Sequence, residues 1–247
     1  MRGAGACPAG PEKRNLPPPA LTMDTEHPPP RALFSRLSSM LSHELRNPLS
    51  SVKLSVQTLA RNADLSERDR RRLAIAEREI RTLERMLTMF AEYGRERSAA
   101  VETVSLRELL VQAAESIAPE LLERRQSVQV TGHPGPHTVR ADAHRTRPVL
   151  AQLFLNAASA LPAGAPVEVA LSPVPGGGTQ LAVRDLGATL SAEEQACVFE
   201  PFASRLARGG GLSLAALRQV MLDQEGRAEV HPDANPGTLF ALTFAPG

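Results

Sequence analysis

Ser42-His43-Glu44-Leu45-Arg46-Asn47-Pro48-Leu49 places an imidazole directly before a carboxylate and, one helical turn later, an amide and a proline. An imidazole is a titratable nitrogen nucleophile, and a neighbouring carboxylate can orient the ring and take up its proton. A second group of polar residues lies further along the chain. Gln152 and Asn156 stand one turn apart in the apolar run Gln152-Leu153-Phe154-Leu155-Asn156-Ala157. An amide oxygen there can serve a Mg²⁺ that also binds phosphate oxygens. Asp185-Leu186-Gly187-Ala188-Thr189 follows the strand-like Leu181-Ala182-Val183, and Gly209-Gly210-Gly211-Leu212-Ser213-Leu214 opens a helical pattern whose first amides can receive phosphate. Each feature by itself has a plain alternative: a surface histidine, a buried hydrogen-bonded amide, a turn.

The elements that must hold these residues follow from periodicity. Phe34, Leu37, Leu41, Leu45, Leu49, Val52, Val56 and Leu59 recur in steps of three and four, which predicts one helix from about Arg31 to Arg61 with a buried apolar stripe. His43 lies roughly 200° round the helix from Leu41, so it faces water, and Asn47 shares its face. Leu54, an apolar residue on that wet face, is an expected protein contact, and Pro48 should bend the helix. After a turn at Asn62-Ala63-Asp64, Ser66 and Asp69 form a capping box with Asp in the place of Glu. The second helix carries Leu73, Ala76, Ile80, Leu83, Leu87 and Phe90 as a heptad seam. One such hairpin has too narrow a core to stand alone. Two paired hairpins make a four-helix bundle, so a homodimer is expected.

From Val101 the pattern is mixed. Helical stretches at 106–122, 147–161 and 212–224 alternate with strand-like runs at 127–130, 138–140, 167–171, 180–184, 228–231 and 239–244, which predicts one sheet covered by helices on one face. The expected class is therefore α+β. Residues 1–30 are rich in Pro, Gly and Ala and read as a disordered leader, with no room for a sensor domain.

The chain has 247 residues, 42% of them hydrophobic, and a net charge of +1. It is long enough for two modest domains and carries no general electrostatic footprint for nucleic acid. No apolar run approaches the roughly 20 residues of a membrane span, and no signal peptide is legible, so the expected compartment is the cytoplasm. Cys7 and Cys197 have no metal-ligand spacing, and a free buried thiol is expected at Cys197. His27, His133, His137, His144 and His231 read as exposed.

The octapeptide resembles the H-box of bacterial two-component sensor histidine kinases, in the variant with Asn four residues after the phosphorylated histidine. The later motifs resemble, in order, the N-box, G1, F (Val198-Phe199-Glu200-Pro201-Phe202) and G2 boxes of the GHKL ATPases, closed by Gly237-Thr238-Leu239-Phe240. The resemblance implies a helical hairpin dimerisation and phosphotransfer domain at 31–98, forming a dimeric four-helix bundle, and a Bergerat-type α/β sandwich ATP-binding domain at 101–247. It further implies ATP and Mg²⁺ as cofactors. His43 would be the phosphorylated nucleophile, Glu44 its orienting base, and Asn47 the residue that positions water for the reverse phosphatase reaction. Gln152, Asn156, Asp185, Gly187, Gly209, Gly210, Gly211, Leu212 and Thr238 would bind nucleotide, with Asn156 the Mg²⁺ ligand and Asp185 the acceptor for the adenine amino group. The implied partners are a response regulator receiver domain, a second copy of the chain and a separate sensor protein.

Three departures stand against the pattern. Thr189 and Ser213 replace glycines and should crowd the pocket through their Cβ atoms, and the lid segment 203–211 carries Ser204-Arg205-Leu206 in the place of Thr-Thr-Lys. They leave open a pseudokinase or histidine phosphotransfer protein with a decayed pocket. A GHKL-type switch protein such as an anti-sigma factor lacks the hairpin and fits poorly.

Overall fold

The computed structural model describes residues 30–247 except 63, 96–99, 133–134, 136, 186, 188, 203–210 and 233–236. Two long antiparallel helices come first, α1 (Pro30–Ala60) and α2 (Glu67–Gly94), with α1 continuous through Pro48. The start of α2 is set as its sequence suggests. Ser66 Oγ accepts from the Asp69 amide at 3.2 Å and donates to the Asp69 carboxylate at 2.6 Å, and Glu67 and Asp69 favour the helix N-terminus.

Small residues fill part of the seam between α1 and α2. Ser38 and Ser42 are buried in it, Ser42 Oγ donates to the Leu87 carbonyl at 3.4 Å, and a Cβ on Gly94 would fall on the Ser38 hydroxyl. The expected fully buried stripe on α1 is only half covered. Leu41, Leu45 and Val52 remain 43%, 50% and 52% exposed, because a single partner helix reaches one flank of a stripe this wide. Ile80 and Met89 of α2 are buried, whereas Leu83 is exposed.

The rest of the chain runs β1 (Glu102–Ser105), α3 (Leu106–Glu115), α4 (Ala118–Glu123), β2 (Val128–Gly132), β3 (Thr138–Ala141), α5 (Ala143–Ala160), β4 (Val167–Pro173), β5 (Thr179–Asp185), α6 (Ala192–Cys197), α7 (Ser213–Asp223), β6 (Arg227–Pro232) and β7 (Thr238–Phe244). The sheet has the order β2-β4-β5-β7-β6, parallel only between β2 and β4, and β1 pairs with β3 apart from it. All six expected strands are present. The single helix expected over 106–122 is divided at Ser116–Ile117, where Pro119 opens α4. β1 and α6 were not foreseen, each being too short to show a period.

Strand β4 alternates buried and exposed residues, with Val167, Val169 and Leu171 inward. That alternation is the signature of a sheet packed on one face. α3, α5 and α7 bring Leu106, Leu110, Leu150, Phe154, Leu217 and Met221 into the same core. His137 is buried rather than exposed, and Cys197 is half-buried rather than buried, with Sγ 3.6 Å from the Glu194 carbonyl.

Two sets of ions join the hairpin to the sheet unit. Arg145 of α5, only 2% exposed, meets Glu92 of α2 at 2.9 Å, and its other arm lies 3.0 Å from Asp223 of α7, at ion-pair distance though not aligned for a hydrogen bond. Nearer the start of α4, Arg81 pairs with Glu120 at 3.1 Å and Glu123 at 2.9 Å, and Arg85 also reaches Glu120.

Candidate functional site

α5 is fixed at both ends before it carries any chemistry. Asp142 caps its N-terminus by accepting from the Arg145 amide at 3.1 Å, and Gln224 Oε1 accepts from the Asp142 amide at 3.0 Å and the Thr146 hydroxyl at 3.1 Å. At the other end Gln126 Nε2 donates to the carbonyls of Ala158 and Pro162 at 2.9 and 3.2 Å, satisfying acceptors that the last turn leaves free.

On this rigid helix Gln152 and Asn156 are buried, one turn apart. Gln152 Nε2 donates to Asn156 Oδ1 at 2.9 Å, and Asn156 Nδ2 donates to Ser213 Oγ at 3.4 Å. Ser213 is the first residue of α7, and Leu212 before it gives no side-chain cap. The leading amides of α7 therefore keep their capacity for an anion. Gly211 has φ +72°, and a Cβ there would stand 2.8 Å from Phe202 Cα. The Phe202 amide donates to the Gly211 carbonyl at 2.9 Å, so the two ends of the segment 203–210 are pinned together.

A second cluster forms where β5 ends. The Gly187 amide donates to Asp185 Oδ1 at 2.9 Å, and Asp185 stands opposite buried Thr238 on β7. Burial pushes the Asp185 carboxyl above its ordinary value, and the Gly187 hydrogen bond pulls it partly back. A Cβ on Gly187 would sit 3.0 Å from Asp185 Oδ1 and 3.3 Å from Ala160 Cβ, so this turn lies against the last turn of α5. Thr189, expected to crowd the site, instead uses its hydroxyl to accept from the Gly237 amide at 3.0 Å.

A cavity of 550 Å³ opens beside Gln152 and Asn156, within the range of small-molecule sites. Its other walls are α2, with Arg78 and Arg85, and the α4–β2 connection, with Arg124 and Gln126. No residue of α1 lines it. His43, Glu44 and Asn47 are exposed on α1, and Ser42 beside them turns toward α2.

Residues 35–99 match the His Kinase A (phospho-acceptor) domain, and residues 141–246 match the histidine kinase-, DNA gyrase B- and HSP90-like ATPase. The chain belongs to the two-component sensor histidine kinases. Sensor histidine kinase ZraS of Klebsiella oxytoca is 27% identical over 209 residues, 85% of this chain and 45% of ZraS. The signal transduction histidine-protein kinase/phosphatase MprB of Mycolicibacterium vanbaalenii is 28% identical over 218 residues, 83% of this chain and 44% of its own. The crystal structure of full-length ShkA in complex with AMPPNP has a TM-score of 0.66 at 25% identity, covering 86% of this chain and 46% of ShkA. The chain thus spans less than half the length of these relatives.

Within this chain the structure gathers Gln152, Asn156, Gly211, Leu212 and Ser213 at one place and Asp185, Gly187 and Thr238 at another, joined through α5. It leaves His43, Glu44 and Asn47 apart from both. Gly209 and Gly210 lie outside the described residues, as do Arg205 and Arg208 of the lid and residues 1–29. Sequence reasoning missed Gln126, Arg124 and Arg78 at the cavity. Gln126 was signalled only by being a polar residue directly before a strand, and nothing in the sequence tied the two arginines to the amides of α5. Among the described residues no helix is long and apolar enough to cross a membrane.

Proposed function

We propose that the chain autophosphorylates His43 from ATP and passes the phosphoryl group to an aspartate of a response regulator. The observation that carries this reading is the pairing of an exposed His43-Glu44 dyad on the hairpin with a buried, hydrogen-bonded amide pair at the head of a helix N-terminus. His43 Nε2 attacks the γ-phosphorus, the bond to the β-phosphate oxygen breaks, ADP leaves, and the imidazole Nδ1 proton goes to Glu44. The amides around Gly211 and Leu212 receive phosphate charge, and Asp185, with Gly187 and Thr238 beside it, accepts from the adenine amino group. In the reverse direction Asn47 positions water for dephosphorylating the regulator; MprB is named as a kinase/phosphatase.

The donor set suits Mg²⁺. The ion favours hard oxygen ligands and takes few from protein when phosphates supply the rest, and Asn156 offers one buried amide oxygen. Mg²⁺ on that oxygen would neutralise phosphate charge. Nucleotide use is supported by the ATPase-family match and by the AMPPNP complex of ShkA.

Residues 31–98 then serve as the dimerisation and phosphotransfer unit and 101–247 as the ATP-binding unit, with the half-covered stripe of α1 closed by a second copy in a four-helix bundle. The regulator docks on the His43 face, where Leu54 is 67% exposed. The compartment we assign is the cytoplasm. Nothing in the comparisons favours the pseudokinase alternative, and Thr189 and Ser213, on which it was based, each hold a hydrogen bond.

The test is incubation with labelled ATP and Mg²⁺. Wild type should take up acid-labile, base-stable label, and His43→Gln should take up none while binding ATP as before, since His43 lies outside the packed seam. Label retained in the variant overturns the assignment.

A further inference from the structure

Ser213 departs from the glycine of its motif, and the structure gives the departure a use. Its side chain is buried, and its hydroxyl oxygen accepts from Asn156 Nδ2 at 3.4 Å while Asn156 Oδ1 accepts from Gln152 Nε2 at 2.9 Å. The Asn156 amide is therefore held from both sides, by α5 and by α7. This arrangement sets the Asn156 oxygen toward Gln152 and its nitrogen toward Ser213. In it the Asn156 oxygen spends one lone pair on Gln152 and keeps the other for a hard cation.

We propose that Ser213 is a positioning residue for the metal–nucleotide site, holding the Asn156 amide in place between α5 and α7 as Mg²⁺ of the bound nucleotide meets its oxygen. This rests on the reading of Asn156 as the metal ligand. Ser213 also begins the helix whose first amides face phosphate, so one residue ties the orientation of the metal ligand to the phosphate-binding helix start. Restoring the motif glycine at 213 removes the hydroxyl that holds the amide, and weakens metal-dependent binding instead of relieving crowding.

The experiment measures AMPPNP binding to the full chain by calorimetry across a Mg²⁺ series and in EDTA, with Mn²⁺ resonance as a direct readout of the metal. Variants are Ser213→Ala, Ser213→Gly and Asn156→Ala. Both serine variants should need about three- to fivefold more Mg²⁺ for half-maximal nucleotide binding, the scale of one hydrogen bond. Their affinity in EDTA should match wild type, which also shows that the domain is folded. Asn156→Ala should lose most of the Mg²⁺ dependence. If Ser213→Gly keeps the wild-type Mg²⁺ requirement while Asn156→Ala loses it, the role of Ser213 is wrong and the metal ligand stands. An unchanged requirement in Asn156→Ala overturns both. A loss in Ser213→Gly that is equal with and without Mg²⁺ assigns the serine to general structure and overturns the proposal.

Discussion

In the proposed role as adenine partner, Asp185 combines two demands that pull in opposite directions. Its burial raises the carboxyl above the ordinary 3.8, whereas an adenine amino group is best met by the ionised form. Since the folded value lies above the unfolded one, its contribution to stability is whole below the unfolded value. It is lost as pH rises through the folded value. An uncharged amide of the same shape removes that cost. Asp185→Asn should therefore melt at the wild-type temperature or above it near about pH 7, yet bind ATP about tenfold more weakly and discriminate less against GTP. Thermal melts at several pH values and nucleotide competition check both halves; an Asn variant with unchanged ATP affinity would remove Asp185 from the base site.

Between elements, the ion pairs differ in kind. Lys53 and Glu84, 2.9 Å apart between α1 and α2, are each about a third exposed, so the pair stabilises by less than about 1 kcal/mol. Glu92 and Arg145 are 5% and 2% exposed between α2 and α5. Removing one charge there leaves the other without its nearest partner in a desolvated site. Glu92→Gln should destabilise the protein by about 2–3 kcal/mol, below the usual cost of breaking a buried pair because Asp223 still faces the guanidinium. Lys53→Met should shift stability by a few tenths of a kcal/mol. Urea melts of the two variants test the contrast, and equal effects would mean the junction is not held by this charge.

At the scale of the whole molecule, the packing of one chain leaves an apolar surface along α1 that a second chain would cover. Leu45 and Val52 lie on the bare flank, whereas Ile80, at 5% exposure, already packs within its own hairpin. Leu45→Glu and Val52→Glu should dissociate a dimer with little loss of helicity, whereas Ile80→Asp should unfold the hairpin itself. Light scattering with circular dichroism separates the outcomes, and a dimer that survives both glutamates would place the interface elsewhere. No residue of α1, the helix that carries His43, lines the cavity beside Asn156, which is walled by α2 through Arg78 and Arg85.

The sequence determined whatever depends on local period and short spacing. The two helices with His43 turned from the stripe, the Ser66 cap, the six expected strands and the Gln152–Asn156 spacing were all legible, because each is set by residues within a turn or a strand of one another. Asp185 and Gly187 were legible for the same reason, being two residues apart. Tertiary structure decided the rest. Ser213 reaches Asn156 across 57 positions, Thr189 reaches Gly237 across 48, and Arg145 reaches Glu92 across 53. A hydroxyl or guanidinium carries no mark in sequence of which distant group will fall within hydrogen-bonding reach of it. Whether a β-carbon obstructs a site or a hydroxyl serves it depends on what stands opposite, and only the packing of α5 against α7 supplies that.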